Sequence, residues 1–161
     1  MRNWVVFAAL LVTASVCVGE GTAAGGQATP QARVERLLDQ VRSNGVKRIE
    51  IVQIPPGILT RTRVTPELLE HSFHYKLVIG DIRGSAYAAS LTSAVGSMSA
   101  EPGGEMGDLR WGMTFYDQGD QRIASLYFDA SGHRGAIDST PVSFKGDLFK
   151  WLDDNFSRVL K

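Results

Sequence analysis

The apolar positions of this chain change period from segment to segment, and each pattern predicts an element. Residues 4–18 form an unbroken, largely apolar run of 15, with a single charge ahead of it at Arg2 and the small, polar stretch GEGTAAGGQA behind it at 19–28. A charged start, an apolar centre and a small-residue exit make an export signal. The run falls short of the ~20 residues a membrane-spanning helix needs, so no transmembrane span is expected. Thr22 and Ala24 occupy the −3 and −1 positions of a cut after Ala24. The expected organisation is therefore a signal peptide over 1–24, a flexible linker over 25–30 and one domain over 31–161.

Within that domain, Val34, Leu37, Leu38 and Val41 recur at i, i+3, i+4 and i+7, one face of a helix opened by Thr29-Pro30 and stopped by Asn44-Gly45. Residues 46–54 read as an internal strand, with Ile49 and Ile51 facing one way and Val52 and Ile54 the other. Pro55-Pro56-Gly57 ends it. Over 58–64, Arg61 and Arg63 alternate with Thr60, Thr62 and Val64, which predicts an extended edge with a basic face. Thr65-Pro66-Glu67 opens a short helix ending near Phe73, and 74–79 is a further strand. Tyr87, Leu91, Ala94, Val95 and Met98 fall at helical spacing within 84–100, and 101–108 is a loop by composition.

The last third is aromatic-rich. Strands over 109–117 and 122–129 are joined by the hairpin loop 118–121. Leu109, Trp111, Met113 and Phe115 share one face, and Ala124, Leu126 and Phe128 share a face on the neighbour. A third strand spans 136–144, where Pro141 argues for an edge or an early end. Asp147 then caps a final helix with Leu148, Leu152, Phe156 and Val159 inward and Phe149 and Trp151 widening that face. The order α-β-α-β-α-β-β-β-α predicts an α+β domain: a mostly antiparallel sheet ending in a three-strand meander, with helices packed on one face.

Composition changes this picture in two ways. Hydrophobic residues are 43% and charged residues 21%, a globular balance, and 17 basic residues offset 17 acidic ones, so no electrostatic driving force for nucleic acid or an anionic membrane exists. The one cysteine, Cys17, lies in the leader. Cleavage would remove it and leave a thiol-free domain held by its core alone. The rival is a lipid anchor on Cys17, although the branched Val16 beside it suits a lipoprotein signal poorly.

Candidate chemistry is sparse. Glu67, Glu70, His71 and His74 stand at helical spacing, and two imidazoles a turn apart could share a metal with His133 as a third ligand. Glu–His pairs near a helix end are equally ordinary surface electrostatics. Ser85 and the Ser131-Gly132-His133 turn lack a nucleophile elbow. The acids Asp153-Asp154 and Asp117/Asp120 sit where solvated carboxylates are expected, and Gly25-Gly26 and Gly103-Gly104 match no phosphate loop. No catalytic residue and no cofactor is assigned.

What remains is recognition. Arg110, Thr114 and Tyr116 on one strand, with Arg122, Ser125 and Tyr127 on its neighbour, form an expected exposed face bearing residue types enriched at binding hot spots. The expectation is a small exported binding protein, periplasmic or extracellular, of the inhibitor or immunity type, whose partner is another extracytoplasmic protein. The competing readings are a metal-dependent hydrolase using His71 and His74, and a small-ligand carrier with its pocket between sheet and helices.

Overall fold

The computed structural model describes residues 28–158. The expected signal over 1–24, Cys17 within it, residues 25–27 of the linker and Val159 lie outside the described residues. An α+β domain is observed, its strands antiparallel throughout. Helix α1 (Pro30–Arg42) starts with Thr29 accepting from Ala32 N at 3.2 Å and ends at Asn44, whose φ of 58° is the left-handed turn its side chain tolerates. Strand β1 (Arg48–Gln53) follows, then α2 (Pro66–His71), β2 (Tyr75–Ile79) and α3 (Ala88–Gly96). The rest is β3 (Ser99–Pro102), β4 (Leu109–Tyr116), β5 (Arg122–Asp129), β6 (Arg134–Ile137), β7 (Thr140–Lys145) and α4 (Leu148–Phe156).

One seven-stranded sheet runs in the order β2-β1-β4-β5-β6-β7-β3. β1 is internal, as its two-sided apolar pattern predicts: Ile51 pairs with Leu77 on one side and Met113 on the other. The first face of the sheet carries Ile49, Ile51, Trp111, Met113, Phe115, Leu126, Phe128, Val142 and Phe144, and it is covered by α1, α3 and α4 through Val34, Leu37, Leu91, Val95, Leu148, Trp151, Leu152 and Phe156. The opposite face has a smaller core of Val52, Ile54, Val64, Leu69, Leu109, Tyr127 and Ala136.

That second core is where the packing differs from the expected one-sided arrangement. Three helices share a face, while α2 sits across the other, its Leu69 fully buried. Gly112 makes room for it: a Cβ there would stand 2.7 Å from Val52 Cγ2 and 3.4 Å from Leu69 Cδ2.

Four further differences follow. The expected strand over 136–144 is two strands, because Asp138 adopts φ 54° and turns the chain between Ile137 and Thr140, so the meander has four strands. Pro141 lies within internal β7, one residue beyond the last β3 pair (Pro102 with Val142), where no ladder donor is required. β3 replaces the end of the expected 84–100 helix: Ala100 N donates to Gln31 Oε1 at 3.1 Å, and the strand pairs with β7. Finally, Asp147 precedes α4 but makes no side-chain cap bond; its own N–H donates to Ser97 Oγ at 2.9 Å. Burial holds this helix instead, with Leu148, Trp151, Leu152 and Phe156 each contributing about 1.5–3 kcal/mol.

Candidate functional site

The strand face expected to be exposed is largely covered. Thr114, Ser125 and Tyr127 do share the α2 side of the sheet, since Thr114 pairs with Ser125 and Gly112 with Tyr127. But α2 crosses them, and Tyr127 is 1% exposed. Its hydroxyl donates to Glu70 of α2, and burial followed by that carboxylate pushes the phenol strongly upward. Thr114 Oγ1 and Ser125 Oγ satisfy each other at 3.1 Å in the interior. Arg122 reaches the same Glu70 at 3.0 Å and stays exposed, while Tyr116 is half-buried beneath the Arg48 guanidinium, 3.8 Å from its ring centroid. Of the five residues Arg110, Thr114, Tyr116, Arg122 and Tyr127, only Tyr116 and Arg122 therefore have surface to offer. Strand alternation assigned the side of the sheet correctly for Thr114, Ser125 and Tyr127 but not for Leu109, which the register shift before Trp111 turns to the α2 side; it carries no information on which helix lies over that side.

Below this cluster, Glu50 accepts from Lys76 Nζ at 3.0 Å, from Arg48 and from Tyr116 Oη at 3.4 Å. Burial opposes its ionisation, but Lys76 and Arg48 outweigh burial and hold the carboxyl below its ordinary range.

The histidines do not assemble. His71 ends α2 and its Nδ1 donates to the Glu67 carbonyl at 2.7 Å, a local helix contact. His74 lies past the helix end, exposed, in the turn before β2, and His133 is in the turn before β6. Among the described residues no group of three or more His, Cys, Asp or Glu side chains could hold a metal ion.

Arg110 is the informative correction. It is buried at 8% exposure, and it faces a loop, not solvent. Its Nη1 donates to the Ile58 carbonyl at 2.8 Å, and its Nη2 pairs with Asp108. Asp108 Oδ1 in turn accepts from Val64 N at 2.8 Å. Residues 58–64, expected to be an extended edge, belong instead to a loop over 55–63 whose feet are both fastened to the start of β4: Ile54 N donates to Arg110 O at 2.9 Å, and Leu109 N to Val64 O at 3.2 Å. Ile54 and Val64 are buried at the two feet. The Thr/Arg alternation is real but belongs to a solvated crown, with Arg61, Thr62 and Arg63 exposed and Arg63 3.5 Å from Glu105 of the 101–108 segment. At its summit Leu59 is 96% exposed, far more than any other large apolar residue among those described. Such a bared side chain on a loop pinned from beneath is an Ω-type presentation. A guanidinium meeting a carbonyl 52 residues away is a tertiary contact with no local sequence signal.

A concavity lies on the other side of the sheet. A cavity of about 430 Å³ opens between the sheet end at Gln53, Tyr75 and Trp111 and the α4 residues Phe149 and Asp153.

No protein-family model matches this chain, and neither does a characterised protein or a solved structure. No helix among the described residues is long and apolar enough to cross a membrane.

Proposed function

We propose that the protein is an exported binding protein that engages another extracytoplasmic protein through the 55–63 loop, acting as an inhibitor- or immunity-type partner. The observation that carries this reading is Leu59 held out almost fully exposed on a loop whose base is fixed by Arg110 and Asp108. A loop fixed in advance loses little conformational freedom on docking, which is where much of the cost of association lies. Leu59 would fill an apolar pocket of the partner, and Arg61 and Arg63 beside it favour an acidic rim around that pocket. Residues 4–18 supply the reason to place the encounter outside the cytoplasm.

The test is affinity capture from an extracytoplasmic extract with the wild-type protein and with Leu59→Asp. Leu59 contributes almost nothing to the core, so the variant is expected to melt within about 0.5 kcal/mol of wild type while losing a partner that wild type retains. A Leu59→Asp protein that keeps every wild-type partner overturns the reading.

A further inference from the structure

We infer that the cavity beneath α4, whose wall includes Pro55 and Pro56 at the foot of the 55–63 loop, is a binding site for a small aromatic amine. Its volume, about 430 Å³, falls in the ~300–1,000 Å³ range of small-molecule sites. The walls are the rings of Trp111 and Tyr75 from the sheet and Phe149 from α4, with Pro55 closing one side. These surfaces suit a flat, apolar body.

Two polar features define the rest of the ligand. Gln53 lines the cavity at 6% exposure, and its Oε1 is buried without a hydrogen-bond partner. A buried, unsatisfied acceptor is costly to the folded state, and such groups are rare where nothing comes to meet them. The oxygen is closed off in this conformation, and a turn of the Gln53 side chain would present it to a ligand N–H in the cavity. Among the described residues Asp153 is the sole charged one lining the cavity, and it lies on the exposed face of α4. A negative charge there selects against carboxylates and for a protonated amine. The ligand class is thus an aromatic ring bearing an N–H donor toward Gln53 and a cationic amine toward Asp153.

Tryptamine carries these parts, and indole-3-acetate keeps the ring while reversing the charge. Titration of each into the full domain, followed by the NMR shifts of the Gln53 side-chain amide and the Trp111 indole N–H, reads occupancy directly. Tryptamine should move both signals and bind at least three- to five-fold more tightly than indole-3-acetate, the size of effect an exposed charge supplies. Asp153→Asn should abolish that preference, and Gln53→Leu should weaken tryptamine about tenfold, the loss of one buried hydrogen bond. Asp153 is solvated, so its variant separates ligand recognition from folding. Equal affinity for the two indoles, a preference that survives Asp153→Asn, or unmoved Gln53 and Trp111 signals at millimolar tryptamine would each overturn the assignment. None of these outcomes depends on a protein bound at Leu59.

Discussion

Glu50 shows how a single side chain takes its character from neighbours far away in sequence. Lys76 arrives from β2, Arg48 from two residues earlier on β1, and Tyr116 from β4; Lys76 and Arg48 keep the carboxylate ionised although it is only 20% exposed. Its folded titration lies below the ordinary value of 4.5, so its contribution to stability is fully present above that pH and disappears as pH falls through the depressed range. Glu50→Gln should therefore be less stable than wild type by roughly 1–2 kcal/mol at pH 7, with the difference shrinking toward zero on acidification below 4.5; chemical denaturation at a series of pH values measures it. Gln53, three residues on, carries the opposite signature. Replacing its orphaned amide by Leu should raise the stability of the ligand-free domain by about 1 kcal/mol, read as a higher urea midpoint at unchanged slope. A lower midpoint would mean that the amide is satisfied after all. Neither environment was legible in the sequence, because both depend on cross-strand register, and register is fixed only once β2 and β4 have found β1.

At the scale of elements, the long periodic segments were legible and the short ones were not. α1, β1, β4, β5 and α4 each carry a strong apolar period with buried partners to match; the expected and observed spans of the first four differ by a residue or two, and α4 ends at Phe156, short of the expected Val159. The misread segments have weak or misleading periods. The Ala/Ser composition of 84–100 concealed β3, and the Asp138-Ser139 turn carries neither glycine nor proline. The 58–64 alternation imitated a strand because Thr and Arg repeat by twos without an apolar face to bury. What holds that segment is Arg110. Arg110→Met should cost about 1–2 kcal/mol through the lost Ile58 and Asp108 contacts, and it should speed amide hydrogen exchange over 58–64 while leaving β5 and α4 protected. Exchange that rises evenly across the domain would show that Arg110 supports the fold as a whole and not the loop.

For the whole molecule, the α+β class and the antiparallel sheet followed from the order of elements, whereas the binding surface did not. Sequence alternation named the correct side for Thr114, Ser125 and Tyr127 but could not know that α2 lies over it, so the proposed recognition surface is the loop that Arg110 fastens and not a strand face. The molecule then presents two concerns at the same end of the sheet: a pinned, leucine-tipped loop outside, and beneath α4 a cavity walled by Gln53, Trp111 and Phe149. The most direct test of the proposed role is photo-crosslinking in the native compartment from a photoreactive residue placed at position 59, with exposed position 36 on α1 as the control. The predicted result is a discrete adduct with one extracytoplasmic protein from position 59 and none from position 36. No adduct from position 59, or the same adducts from both positions, would contradict it.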